Sequence, residues 1–299
     1  MTPYVNGNKQ AKAEAKPGAL KSGALEEAWQ RLESILQDME SVIVAFSGGV
    51  DSALLAYAAH RTLGSCSLAV TAVSPALASR ELEIATSLAA QLGFAHRTIR
   101  TSELEREGYA ANAPNRCYFC KTELYSHLCQ MARAEGYAWV ANGANLDDLG
   151  DYRPGLLAAE ENQVRSPLVE AAMDKEMVRE MALGLEIPVW DKPAQPCLSS
   201  RIPYGIPVTA ETLSKIERAE DYLKSLGLRE VRARHHDNHC RVEVAESEME
   251  LAFAHRREIS ANLKRIGYLW ISLDLSGMRS GSLNDQLGTS IPVKGSPIQ

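Results

Sequence analysis

The 299-residue chain has no apolar run of the length that crosses a bilayer. Stretches such as Val42–Phe46 and Leu68–Val73 fall far short of the roughly 18 residues a spanning helix needs, so no membrane partner is expected. The N-terminus, MTPYVNGNKQAKAEAKPGALKSG, lacks the apolar core of a secretory signal, which points to the cytoplasm. Cysteine is scarce: six in this length cannot make a disulfide framework, and grouped cysteines in a reducing compartment serve metals or catalysis. Positive charge is also in deficit, 32 Lys and Arg against 38 Asp and Glu. The net −6 and pI near 5.7 argue against a general nucleic-acid binder. What is present suffices for a core: 45% hydrophobic residues exclude a disordered or fibrous chain and suit a main domain with a smaller appendage.

The acidity is uneven. From Gly205 onward 13 basic residues balance 13 acidic ones, so residues 1–204 carry the whole net charge. Residues 1–24 read as a flexible arm without periodicity, and 285–299 as a flexible tail. In 25–204, SVIVAF, CSLAVTAVS, HRTIRT and YAWVAN read as strands alternating with helices. That alternation predicts an α/β fold with a doubly wound parallel sheet, which binds ligands at the carboxyl ends of its strands. The sequence places a helix over 121–135 and another from Asp174 to Leu183. Five prolines between Ile187 and Pro207 then mark a boundary or an ordered loop. Residues 205–284 follow as a small α+β unit: a helix over Ala210–Leu226, two strands in LREVRARHHDNHCRVEV around a polar turn, a helix over Ser247–Ile266 and a strand over Tyr268–Asp274.

The chemistry begins at Ser47-Gly48-Gly49-Val50-Asp51-Ser52, between a buried strand and a helix start. Backbone N–H groups and the helix dipole there favour an anion. Two glycines admit a phosphate close to the backbone, and the Ser47 and Ser52 hydroxyls add donors. Asp51 beside an anion calls for compensation by Mg²⁺ or a backbone amide. No Gly-Lys-Ser/Thr follows, so this is no Walker loop. Cys117-Tyr-Phe-Cys120 stands just before a predicted helix, and Cys197 lies 77 residues beyond Cys120 in PCLSSR. Three sulfurs could ligate a [4Fe-4S] cluster and leave one iron open. A redox pair, or a structural zinc completed by His127, is the alternative. Cys66, Cys129 and Cys240 read as buried fillers.

The hexapeptide resembles the SGGxDS signature of the PP-loop ATP pyrophosphatases, over about Ser41–Arg201. The resemblance implies ATP binding at Ser47, Gly48, Gly49, Asp51 and Ser52, with Mg²⁺ at Asp51. It also implies adenine near the backbone at Val73 and a nucleotide-lining segment at Gly143, Asn145 and Asp148. RCYFCK, NLDDLGDYRPG, IPVWDKPAQPCLSSRIPYG, VRARHH and LDLSGMRSG further resemble the LarE family of ATP-dependent sulfur transferases, which serve the nickel-pincer nucleotide cofactor of lactate racemase. That likeness covers nearly all of 26–284. It implies a carboxylated pyridinium mononucleotide as substrate, adenylylation of its carboxylate, and sulfur delivered through a [4Fe-4S] cluster at Cys117, Cys120 and Cys197 from an unidentified sulfide donor. It also implies a homo-oligomer.

Arg232 and Arg234 alternate with Val231 and Ala233, which sets both guanidiniums on one strand face, suited to a phosphate or else a solvated charged face. By resemblance this face, with Ser200 and Arg201, binds substrate phosphate; Arg279 and Glu220 occupy positions where the family carries functional residues. Two other readings stay open: a tRNA thiolase, which the charge balance disfavours, and a non-enzymatic ATP-binding iron–sulfur sensor.

Overall fold

The computed structural model describes residues 23–150 and 154–279. Helix α1 (Gly23–Met39) buries Ala28, Leu32, Leu36 and Met39, one stripe at helical spacing, and leads into strand β1 (Val42–Ala45). Alternation follows: α2 (Val50–Leu63), β2 (Ser67–Val73), α3 (Ser79–Leu92), β3 (His96–Arg100), the short α4 (Glu107–Ala110), α5 (Arg116–Glu135) and β4 (Trp139–Ala141). Then come α6 (Pro154–Glu161), α7 (Pro167–Glu170) and α8 (Lys175–Gly184). The four strands are parallel in the order β3-β2-β1-β4. Val42 and Val44 join a core with α1, α2 and α8, while Ile43 joins a second core with α5 and α6. Period-two side chains of a strand buried on both faces require helices on both, which is why β1 reads as continuously apolar.

The strand order reverses between β1 and β4. Loops leaving their carboxyl ends therefore part to opposite sides and open a crevice there. A smaller unit follows: α9 (Ala210–Ser225), β5 (Val231–His236), β6 (His239–Val244), α10 (Met249–Ala254), α11 (Arg256–Ile266) and β7 (Trp270–Leu273). Its sheet runs β5-β6-β7, antiparallel then parallel, with α9 and α11 contributing Leu223 and Leu263 to its core. Among the described residues no helix is long and apolar enough to cross a membrane.

Several expectations shift. Helix α5 starts at Arg116, so both cysteines of the CxxC lie inside its first turns rather than before it. The apolar periodicity that marks the helix in sequence begins only after them. The expected helix over 247–266 divides at His255, where α10 ends and α11 begins. Cys66 is exposed rather than buried, because it occupies a 3₁₀ turn before β2's buried register begins at Ser67. Cys129 is half-buried and Cys240 buried. The arm expected over 1–24 and the tail over 285–299 lie outside the described residues, apart from Gly23 and Ala24, which begin α1.

Candidate active site

The Ser47–Ser52 segment, the expected phosphate loop, leaves the carboxyl end of β1 and enters α2. Gly49 precedes α2 without any side-chain cap, so the first-turn N–H groups of α2 have no side-chain acceptor and face the position an anion would take. Gly48 adopts φ +72°, and a Cβ there would meet Ala85 Cβ at 3.0 Å, so glycine is required twice over. Ser47 N–H donates to Ser52 Oγ at 3.2 Å, and Ser52 Oγ donates to Gly49 O at 3.1 Å; these bonds shape the loop from within.

The segment after β4 closes on the same place. A Cβ on Gly143 would stand 2.8 Å from Ser52 N, so backbone meets backbone there. Asn145 Nδ2 donates to Asp51 Oδ1 at 2.9 Å, and Lys175 Nζ, at the start of α8, lies 2.5 Å from Asp51 Oδ2. Asp51 is thus compensated by a lysine and an amide. Asp148 Oδ2 accepts Asn145 N–H at 3.0 Å, which holds this segment in shape. Val73 closes β2 on the far side of β1, its carbonyl taking Thr101 N–H at 3.2 Å. Lys192 Nζ contacts Gly48 O at 3.5 Å and pairs with Glu81 at 2.7 Å. Neither lysine carries a mark in the sequence beyond its neighbours: Lys175 follows the N-cap Asp174, and Lys192 stands in the Asp-Lys-Pro of the proline-rich stretch.

From Lys192 the chain runs to Cys197 and the 3₁₀ turn Leu198–Arg201. Leu198 N–H donates to Ala76 O at 2.9 Å, Tyr109 OH meets Ser199 Oγ at 2.6 Å, and Arg116 Nη1 donates to Ser199 O at 2.9 Å. Cys197 is thereby brought to the start of α5. Cys117 and Cys197 are exposed, and Cys120 is half-buried. Surrounding protein and the neighbouring Cys197 push the Cys117 thiol up, against the pull of Arg116 and Lys121. Burial pushes Cys120 up to about 12, partly offset by Lys121. The three sulfurs feel one another's charge, yet among the described residues no three His, Cys, Asp or Glu side chains form a closed metal-holding group. The donor set suits a thiolate-ligated cluster in its chemistry: three sulfurs stand beside the cations Arg116, Lys121 and Arg201, although burial outweighs the cations at Cys117 and Cys120.

The arginine face is not uniform. Arg201 is 3% exposed and gives Nε and Nη2 to Glu220 at 2.7 and 3.0 Å, while Nη1 serves the carbonyls of Pro196 and Cys197 and the Ser200 hydroxyl. Burial pulls its pKa down, and Glu220 more than restores it. Glu220 is buried, and also accepts Ala233 N–H at 3.1 Å. Arg234, equally buried, pairs with Glu243 at 2.9 Å and donates to Ser200 O at 2.7 Å. Arg232 is half-buried and has no hydrogen bond or ion pair among the described residues. Burial and the like charges of Arg234 and Arg201 lower its pKa, the condition of a guanidinium lacking an anion. Arg279 is exposed beyond β7, in a turn tied to β6 by Met278 N–H to Val244 O at 2.8 Å. Residues 151–153 of the expected NLDDLGDYRPG motif lie outside the described residues.

Comparison with known proteins adds to this geometry. The family model described as asparagine synthase matches residues 25–137. An uncharacterized protein of Synechocystis is 44% identical over 262 residues, 87% of this chain and 98% of that protein. Pyridinium-3,5-bisthiocarboxylic acid mononucleotide synthase of Lactiplantibacillus plantarum is 37% identical over 257 residues, 86% of this chain and 93% of the synthase. An uncharacterized protein of Methanocaldococcus jannaschii is 28% identical over 241 residues, 81% and 92% of the two chains.

Proposed function

The chain belongs to the LarE family, that of the pyridinium-3,5-bisthiocarboxylic acid mononucleotide synthase, and from this premise we propose that it uses ATP to exchange a carboxylate oxygen of a pyridinium mononucleotide for sulfur. A carboxylate oxygen leaves poorly and AMP leaves well, so the substrate carboxylate attacks the α-phosphorus of ATP and pyrophosphate departs. The charge on that pyrophosphate falls to the uncapped N–H groups of α2 and the Gly48–Gly49 backbone. Asp51 would hold a Mg²⁺ ion, which supplies further charge neutralisation. Lys175 would exchange its present partner, Asp51, for phosphate oxygen as the site fills. Arg232, unpaired beside two paired arginines, binds the phosphate of the mononucleotide. Cys117, Cys120 and Cys197 would hold a [4Fe-4S] cluster, which would supply sulfur at the sulfide level. The sulfur adds to the acyl carbon, the acyl–phosphate C–O bond breaks, and AMP leaves with the bonding pair.

One observation carries this reading. Lys192 of the proline-rich segment contacts Gly48 O at 3.5 Å, and Cys197 of the same segment lies within electrostatic reach of Cys117; this supports activation and sulfur delivery in a shared crevice. The test is pyrophosphate and AMP release by the full chain with Mg·ATP and the biscarboxylated pyridinium mononucleotide. Release should depend on that substrate and fall about 100-fold in Asp51→Asn. AMP release driven by tRNA instead would make the protein a thiolase of RNA, and ATP binding without turnover would make it a sensor.

A further inference from the structure

We propose that Asn112 and Arg116 are positioning residues of the sulfur centre: they clamp segment 197–206 onto α5, so that the protein alone sets Cys197 beside the CxxC, with the Arg116 guanidinium as a fixed positive charge for anionic sulfur.

Asn112 is fully buried and adopts φ +55°, a left-handed conformation that asparagine tolerates better than most side chains. Its polar atoms serve the proline-rich segment. Nδ2 lies 2.8 Å from Pro203 O, 2.9 Å from Ile206 O and 3.3 Å from Ile202 O. Its carbonyl takes Gly205 N–H at 3.1 Å, and its Oδ1 accepts Arg116 Nη1. Arg116, one turn further on, holds Ser199 O at 2.9 Å and lies 6.0 Å from the Tyr204 ring. Only Leu198 separates Ser199 from Cys197, and Arg116 directly precedes Cys117. The clamp therefore joins the two cysteine-bearing segments at the points where they carry their sulfur.

Holding a carbonyl needs only a neutral donor. Arg116 is 4% exposed, and among the described residues no carboxylate pairs with it, whereas the buried Arg201 and Arg234 each have one. An uncompensated buried cation is costly. Arg116 directly precedes Cys117 and its charge acts on that thiol, which makes the sulfur its candidate counter-ion.

The inference rests on the reading that the three cysteines act together, but its test uses no ATP, mononucleotide or iron. Full-length, reduced, iron-free protein carrying Cys120→Ser is treated with dibromobimane, which fluoresces after bridging two thiols. Peptide mass spectrometry should show Cys117 joined to Cys197, and Asn112→Ala should lower the bridging rate about tenfold. Should Asn112→Ala fail to fold, Tyr109→Phe, which removes only the contact with Ser199 Oγ, should lower it to a smaller extent. The charge is read separately, as the ratio of Cys117 alkylation by anionic iodoacetate to that by neutral iodoacetamide. Arg116→Met should lower this ratio several-fold and Arg116→Lys should preserve it, a difference that loop-holding alone does not produce. Unchanged bridging in the folded clamp variants, or a ratio indifferent to Arg116→Met, overturns the proposal. Intact bridging with no sulfur transfer counts against the functional reading alone.

Discussion

Asp51 carries a negative charge in a loop built to receive another, and Lys175 makes that arrangement tolerable. With Lys175 Nζ 2.5 Å away and Asn145 Nδ2 on the other oxygen, the carboxylate is neutralised and fixed. Lys175→Met would leave Asp51 facing incoming phosphate. The expected outcome is a KM for Mg·ATP raised about tenfold and slower pyrophosphate release, measured at steady state; unchanged kinetics would remove Lys175 from the site. At this scale the sequence was legible where residue types cluster. Ser47–Ser52 and Cys117–Cys120 stand out because glycine pairs and cysteine pairs are rare by chance. Lys175, Lys192, Asn112 and Arg116 do not, since a lone lysine or asparagine acquires its role only from what the fold sets opposite it. Sequence also could not separate Arg232 from Arg234. The two share a strand face, and only burial against Glu243 distinguishes the paired from the unpaired one.

Among elements, the segment over 192–208 has no regular structure beyond one 3₁₀ turn, yet side-chain hydrogen bonds from Asn112, Arg116 and Arg201 hold it. Arg201 is central to it, because one guanidinium closes on Pro196 O and Cys197 O and on Glu220 of α9. Replacing Glu220 by Gln leaves Arg201 buried without its counter-charge. Loss of a partner from such a pair costs about 3–5 kcal/mol, so Glu220→Gln should lower the thermal midpoint markedly, while Glu211→Gln on the exposed face of the same helix should not. Equal midpoints for the two would show that the pair is not structural. The alternation of strands and helices was readable because β1 and β2 are apolar on both faces and the helices are striped. The edge strands were readable too, β4 within YAWVAN although it is only three residues long; α6 and α7 were not, because they lack a long apolar period.

For the whole molecule, acid stability depends on carboxylates held in their charged form. Glu123 on α5 accepts from Arg106, His127 and the Ser102 N–H; burial raises its pKa, and these partners together bring it below the ordinary 4.5. A depressed carboxylate contributes stability that is complete above the ordinary value and is lost as pH falls through the lowered one. Glu123→Gln should therefore unfold at a lower temperature than the parent at pH 7, and the gap should close as pH falls below about 4.5; a gap constant down to pH 3 would assign the effect to packing. The crevice has a different whole-molecule dependence. Gly143 and Ser52 meet backbone to backbone across the reversal in strand order, with no side chain between them to give way. Asn145, two residues beyond Gly143, bonds Asp51, the residue before Ser52, so a change in the angle between β1 and β4 would be felt at that bond. On the proposal that ATP binds here, substitutions in the helical layers that flatten or tighten the sheet twist should register as changes in ATP affinity far from the point of change.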